Sequence, residues 1–212
     1  LWSPGIKLGV RPGSFFHLTE CFGPVLGLMR AADLEEALAL VDRIPFGLTS
    51  GIQSLDDREI ARWLDRVAAG NLYVNRHITG AIVARQPFGG WKASVVGPGA
   101  KAGGPNYVAQ LGRWRQAELP AAGEPLSAAL AARLGRCLAE AGEGAEETLR
   151  ASAASYARAW REHFGREHEW VRLQGERNLF RYRPCGGVLV RGESATAGGR
   201  LALGQVLLAA GA

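Results

Sequence analysis

Residues Asn71–Tyr107 read NLYVNRHITGAIVARQPFGGWKASVVGPGAKAGGPNY. Two strand-length runs stand between clusters of Gly and Pro, with single polar residues at set places. Such backbone suits close approach to a small ligand, because glycine lacks the Cβ that would block it. A second segment of the same kind, Glu20-Cys21-Phe22-Gly23-Pro24-Val25, lies upstream.

Between the two segments the spacing predicts helices and strands in alternation. Asp33 caps a helix over residues 33–44, with Glu36 three residues on and Leu34, Ala37, Leu38, Val41 and Ile44 at helical intervals. Pro45 stops it. A second helix is expected from Leu55 to Ala69, capped by Ser54, with Ile60, Trp63, Leu64 and Val67 as its buried stripe and Gly70 as a left-handed exit. Leu72-Tyr73-Val74 and Gly27-Leu28-Met29 read as short strands. Strand, helix, helix, strand with short connections is α/β in character.

After Arg113 the texture changes: residues 117–147 are rich in Ala, Glu and Gly, and every base after Lys101 is Arg. Helices are expected over Leu126–Gly142 (Leu126, Leu130, Leu134, Cys137 and Leu138 on one face) and Thr148–Phe164 (Leu149, Tyr156, Ala157, Trp160 and Phe164). Asn178–Arg183 and Val188–Arg191 read as strands around a Pro184-Cys185-Gly186-Gly187 turn, and another helix begins at Leu201.

The 212 residues are 47% hydrophobic and 21% charged, enough for one or two cores. Net charge is +5, but residues 1–112 carry 11 bases against 9 acids and residues 113–212 carry 14 against 11, interspersed throughout. A nucleic-acid surface concentrates its bases on one face, so no nucleic-acid partner is expected. Cys21, Cys137 and Cys185 are far apart and form no metal or disulfide pattern, which fits a reducing cytoplasm. No apolar run reaches the roughly 18 residues of a membrane span. The start without Met and the stop within an apolar helical pattern read as a fragment of a longer polypeptide.

Glu20-x-Phe22-Gly23-Pro24, followed by Asn75, Thr79-Gly80-Ala81-Ile82-Val83 and Arg85-Gln86-Pro87-Phe88-Gly89-Gly90, resembles the carboxyl-terminal half of an aldehyde dehydrogenase catalytic domain. TGAIV and GPGAKAGGPNY are narrower, and resemble the L-glutamate γ-semialdehyde (Δ1-pyrroline-5-carboxylate) dehydrogenase module of bacterial proline utilization A proteins. The resemblance is dense over residues 1–112 and thinner beyond. It implies a dehydrogenase portion with an oligomerisation strand at Asn106–Leu111, then a helical connection over 113–175. From 176 a further aldehyde-dehydrogenase-like domain would begin, as GERNLFRYRP at Gly175–Pro184 suggests.

What the resemblance implies about chemistry attaches to a few residues. Glu20 would accept hydrogen bonds from the nicotinamide ribose of NAD, since a carboxylate offers two oxygens to a vicinal diol. Phe22 would pack beside the nicotinamide. The bland alternative is a surface Glu in a turn. Thr79, Gly80 and Ala81 would anchor the remote carboxylate of a small aldehyde substrate through backbone N–H groups, with Phe88 flanking its aliphatic chain; a plain tight turn is the alternative. The family's catalytic Cys and general-base Glu lie upstream of E-x-F, so Cys21 is not the nucleophile and the fragment alone should be inactive. Ala93 departs slightly from the family, which often has a basic or bulky residue there.

Other features carry less. Gly97–Gly104 fails the phosphate-loop spacing, because Lys101 is followed by Ala102. Asn75 and Arg76 organise the loop, though Asn75 could reach substrate or cofactor. Lys92 has no assignable role, and His17, His77, His163 and His168 read as surface residues. Two other functions stay open: a non-catalytic assembly module, using the 106–111 strand and a 178–191 hairpin as pairing edges, and a dehydrogenase for another aldehyde. A homo-oligomer is expected on either account.

Overall fold

The structure is a computed structural model in which residues 2–97, 99–115 and 123–212 are described. It divides into two compact units, Leu1–Gly112 and Arg113–Ala212. Pro98, within the expected Gly97–Gly104 loop, lies outside the described residues.

The first unit is α/β. Its elements are β1 (Gly5–Lys7), α1 (Phe15–Leu18), β2 (Val25–Gly27), α2 (Leu34–Asp42), β3 (Phe46–Gly47), β4 (Thr49–Ile52), α3 (Asp57–Arg66), β5 (Asn71–Val74) and β6 (Trp91–Lys92). β1 pairs with β2 and β4 with β5, both in parallel, while β3 and β6 are antiparallel. A parallel pair needs a crossover, and α3 supplies it between β4 and β5. Leu38, Trp63 and Val67 are buried there against Ile52, Leu72 and Val74, so α2 and α3 cover one face of that pair.

Local chemistry sets the boundaries. Asp33 accepts from the Glu36 N–H at 2.9 Å, and the Glu36 carboxylate reaches back to the Ala32 N–H, closing the start of α2. At its other end the Lys92 ammonium donates to the Asp42 and Ile44 carbonyls at 2.8 and 3.0 Å, which gives that lysine a role the sequence did not reveal. α3 starts later than expected. Asp56, not Ser54, caps it by accepting from the Arg58 N–H at 2.8 Å, while Ser54 Oγ accepts from the Asp56 N–H and bonds Glu59. β2 begins two residues before the expected strand, because the parallel register sets Gly5 opposite Val25.

Two further expectations are corrected. Gly70 does not end α3 in a left-handed turn; the helix closes at Val67 in extended backbone. Asn106–Leu111 is not a strand: Val108–Leu111 forms a 3-10 turn with Val108 and Leu111 exposed. A strand needs a partner for its N–H and C=O groups. Here the Tyr107 and Gln110 amides bond to Gly104 and Tyr107 carbonyls instead.

In the second unit α4 (Ala128–Ala141), α5 (Glu146–Ala159) and α6 (Ala197–Ala209) pack together. Leu130, Leu134, Cys137, Leu149, Ala153 and Leu208 form the core. Gly204 lets α6 approach closely, since a Cβ there would meet a Leu149 methyl at 3.0 Å. The expected helix to Phe164 changes pitch: Trp160–Phe164 is a π turn, with the Gly165 N–H donating to the Trp160 carbonyl at 2.7 Å.

The expected 178–191 hairpin does not form. β8 (Phe180–Arg181) pairs antiparallel with β7 (Glu167–His168), and residues 188–191 form no strand. Ring packing decides this, with Trp170 5.2 Å from Phe180 and Phe180 5.1 Å from Tyr182. His163 and His168 are part of the cluster, 4.7 Å apart, and His163 Nε2 lies 3.1 Å from the Tyr182 hydroxyl. His163 is exposed and His168 half-buried, so both keep the surface placement expected of them. His17 does not: it is buried, its Nδ1 accepts from the Gly13 N–H and its Nε2–H donates to the Leu40 carbonyl, both at 2.9 Å. Among the described residues no helix is long and apolar enough to cross a membrane, and no group of three side chains could hold a metal.

Candidate functional site

β5 is the platform of the site. Its alternation buries Asn71 and Tyr73 on one side. Beyond Val74 the chain turns at Asn75, whose φ is 55°, and the Asn75 carboxamide clasps Ser54 through both its ends, accepting from the N–H at 2.9 Å and donating to the carbonyl at 2.8 Å. That use leaves Asn75 as a loop organiser. The Arg76 guanidinium lies 5.2 Å from the centre of the Tyr73 ring. Ile78 packs onto Gly51, where a Cβ would come within 2.4 Å of its methyl.

The loop then presents Thr79, Gly80 and Ala81, all exposed. Gly80 has φ of +102°, a conformation L side chains rarely adopt. Its carbonyl accepts from the Tyr73 hydroxyl at 2.7 Å. Among the described residues, the N–H groups of 79, 80 and 81 donate to no protein acceptor. Adjacent unpartnered amides of this kind can receive an anion. Ile82 and Gln86 close the next turn, the Ala84 N–H donates to the Gly103 carbonyl at 3.0 Å, and Phe88 bridges Ala102 in both directions. Thr79, Gly80, Ala81 and Phe88 thus lie on one stitched loop system, with Phe88 43% exposed.

A half-buried lysine holds that system to β5. Lys101 Nζ donates to the Gly70 carbonyl at 2.6 Å, the Gly89 carbonyl at 2.7 Å and Asn71 Oδ1 at 3.0 Å. Asn71 in turn donates to the Pro87 carbonyl at 3.2 Å. Burial pushes the Lys101 ammonium down to about 8. Its three donors are spent on protein oxygens, so it is a structural tie and not a phosphate ligand. Gly70 lies against Gly89, leaving no room for a side chain: a Cβ there would stand 1.8 Å from the Gly89 carbonyl oxygen.

Glu20 and Phe22 lie on a different segment, between α1 and β2. Phe22 is 96% exposed, and among the described residues Glu20 has no hydrogen-bond or ion-pair partner. The hydrogen bonds of the 79–103 loop system do not extend to either residue. Glu20 and Phe22 are thus both exposed, two residues apart on one segment. Among the described residues no nucleophile–base pair accompanies it. Cys21 bonds only the Thr19 carbonyl through sulfur, and Cys137 is buried in the helical core.

Sequence reasoning missed Tyr73 and Lys101. Tyr73 acts on a carbonyl seven residues on and Lys101 on one thirty-one residues back, and nothing in their immediate neighbours signals either contact.

The family model described as "Aldehyde dehydrogenase family" matches residues 1–117. The 1-pyrroline-5-carboxylate dehydrogenase 2 of Bacillus subtilis (strain 168) is 40% identical over 106 residues, covering 50% of this chain and 20% of that protein. The 1-pyrroline-5-carboxylate dehydrogenase of Bacillus cytotoxicus is 44% identical over 106 residues, with the same coverage. Among solved structures, proline utilization A from Corynebacterium freiburgense is 50% identical and covers 87% of this chain and 18% of that one, with a TM-score of 0.74. The chain thus spans about a fifth of the length of these relatives.

Proposed function

This chain belongs to the aldehyde dehydrogenase family, and on that premise we propose that it anchors the substrate and closes on the cofactor in an NAD-dependent enzyme. The reaction proposed is oxidation of L-glutamate γ-semialdehyde to L-glutamate in proline degradation. One observation carries the reading: among the described residues, three successive exposed amides at Thr79, Gly80 and Ala81 lack protein acceptors. The semialdehyde bears a carboxylate remote from its reacting carbon. Holding that carboxylate aims the aldehyde, which is a positioning contribution to rate. Phe88 is exposed on the same loop system, placed to flank the aliphatic part.

Glu20 and Phe22 are the cofactor-side residues of the proposal. Glu20 would accept from the ribose hydroxyls of NAD and Phe22 would cover one face of the nicotinamide. When bound, the nicotinamide supplies the hydride acceptor. The nucleophile and the general base are assigned to sequence outside these 212 residues. Similarity to the Corynebacterium protein over 87% of this chain reaches beyond residue 112, and supports placing residues 113–212 in the same longer polypeptide. The expected division at 175/176 is given up, because α6 shares one core with α4 and α5 within a single compact unit. The protein is proposed to work as a homo-oligomer in the cytoplasm, where its three cysteines stay free.

Steady-state kinetics of a full-length protein containing this chain test the reading. Two charge-assisted bonds favour the semialdehyde over an uncharged aldehyde of similar length by on the order of a hundredfold in kcat/KM. Ala81→Leu, which crowds the amides, should raise KM for the semialdehyde far more than KM for NAD. Equal rises in both KM values would count against the anchor. The isolated 212-residue chain should produce no NADH from either aldehyde.

A further inference from the structure

We propose that Tyr73 is a positioning residue that sets the polarity of the anion cradle, by holding the Gly80–Ala81 peptide with its carbonyl turned inward. The inference rests on the anchor reading above and deepens it.

The described backbone contains no cis peptide, so the Gly80 C=O and the Ala81 N–H point in opposite directions across one planar unit. The Tyr73 hydroxyl donates to that carbonyl at 2.7 Å. The phenol is itself well fixed. Tyr73 is 4% exposed, sits within β5 opposite Gly51, and has the Arg76 guanidinium against its ring. With the carbonyl drawn toward this buried group, the Ala81 N–H is aimed away from it, toward the exposed side of the loop.

Gly80 makes the restraint necessary. Glycine crosses between backbone regions at little cost, so its peptide can rotate. A half-turn of the Gly80–Ala81 peptide would swing the carbonyl oxygen out and the N–H in. The cradle would then present a negative dipole end to a carboxylate, and the same loop would repel the group it is built to hold. In that rotated form the Tyr73 O–H loses its carbonyl acceptor, and the phenol oxygen is left to accept from the inward N–H. A phenol is a strong donor and, with its lone pair conjugated to the ring, a weak acceptor, so Tyr73 favours the orientation in which it donates to Gly80.

The test is Tyr73→Phe in the full-length enzyme, which keeps the ring and removes the donor. KM for the semialdehyde is expected to rise about tenfold, the effect of one net hydrogen bond. KM for an uncharged aldehyde of similar length, KM for NAD and kcat should stay within about twofold, since the Ala81 amide that Tyr73 orients through Gly80 would meet only a carboxylate. A merely structural role would move all of these together, and that result, or an unchanged KM for the semialdehyde, overturns the proposal. If Tyr73→Phe does not fold, 3-fluorotyrosine placed at 73 preserves the packing and strengthens the donor. It should lower KM for the semialdehyde only, and an unaltered ratio of the two aldehydes overturns the proposal. Failure of the underlying anchor looks different, because the unmodified enzyme would then show no preference for the charged aldehyde.

Discussion

Gly70→Ala should loosen the 70–103 region by about 3 kcal/mol or more, at the upper end of what overpacking costs. The new methyl would stand 1.8 Å from the Gly89 carbonyl oxygen and 2.8 Å from both the Gly89 carbonyl carbon and Gly90 Cα. All three are backbone atoms, so no side-chain rotation relieves the clash. β5 must part from the segment that carries Phe88. Hydrogen exchange on the full-length protein reads this locally. The Asn71 amide bonds the Leu48 carbonyl at 3.0 Å and the Ala102 amide bonds the Phe88 carbonyl at 2.8 Å. Both should exchange on the order of a hundredfold faster in the variant. Gly5→Ala is the control, since nothing lies within 4 Å of its Cβ position. Protection equal to the parent in Gly70→Ala would mean that the two segments do not touch as described.

Lys101→Met should cost a similar amount, about 3 kcal/mol, because it strands three partly buried acceptors without their donor. The Gly70 and Gly89 carbonyls and Asn71 Oδ1 all lose the same ammonium. Its pH dependence is separable. Burial lowers the folded-state value to about 8, against 10.5 for a free lysine. Below about 8 the folded and unfolded forms both hold the proton, and the burial penalty is present in full. Between about 8 and 10.5 the unfolded state binds more protons, so the stability difference tied to this group rises with pH. Denaturation of parent and Lys101→Met from pH 7.5 to 10 should therefore diverge upward for the parent. Parallel curves would show that the amine is not buried.

How much of the fold is legible in the amino-acid sequence depends on how local each signal is. Helix α2 is readable because Asp33, Glu36 and the apolar stripe all lie within one short window, and the cap forms as that spacing demands. The α/β character follows in the same way from short periodic runs and tight turns. Gly70 is legible only as a required glycine. Its reason is not a left-handed turn but a backbone 19 residues later, at Gly89. The Asn106–Leu111 segment has the pattern of a strand, but strand structure is a property of a pair, and without a partner edge its amides bond locally. At Asn178–Arg191 the period-two pattern is real, yet contacts among Trp170, Phe180 and Tyr182 decide the pairing, and Phe180 joins His168.

At the site, Gly80 and its neighbours announce the exposed amides, while the supports behind them stay hidden. Tyr73 reaches Gly80 from seven residues away and Lys101 reaches Gly70 from thirty-one. Neither contact leaves a mark in residue type or spacing. Both residues read as ordinary, Tyr73 as a strand aromatic and Lys101 as the lone charge in a glycine-rich loop.

The most direct test of the anchor is a crystal structure of the full-length protein with its proposed product, L-glutamate, bound. The account predicts one carboxylate of the amino acid within about 3.2 Å of the Gly80 and Ala81 amide nitrogens, with the Gly80 carbonyl still on Tyr73. A carboxylate held elsewhere, with those amides facing only water, would contradict it.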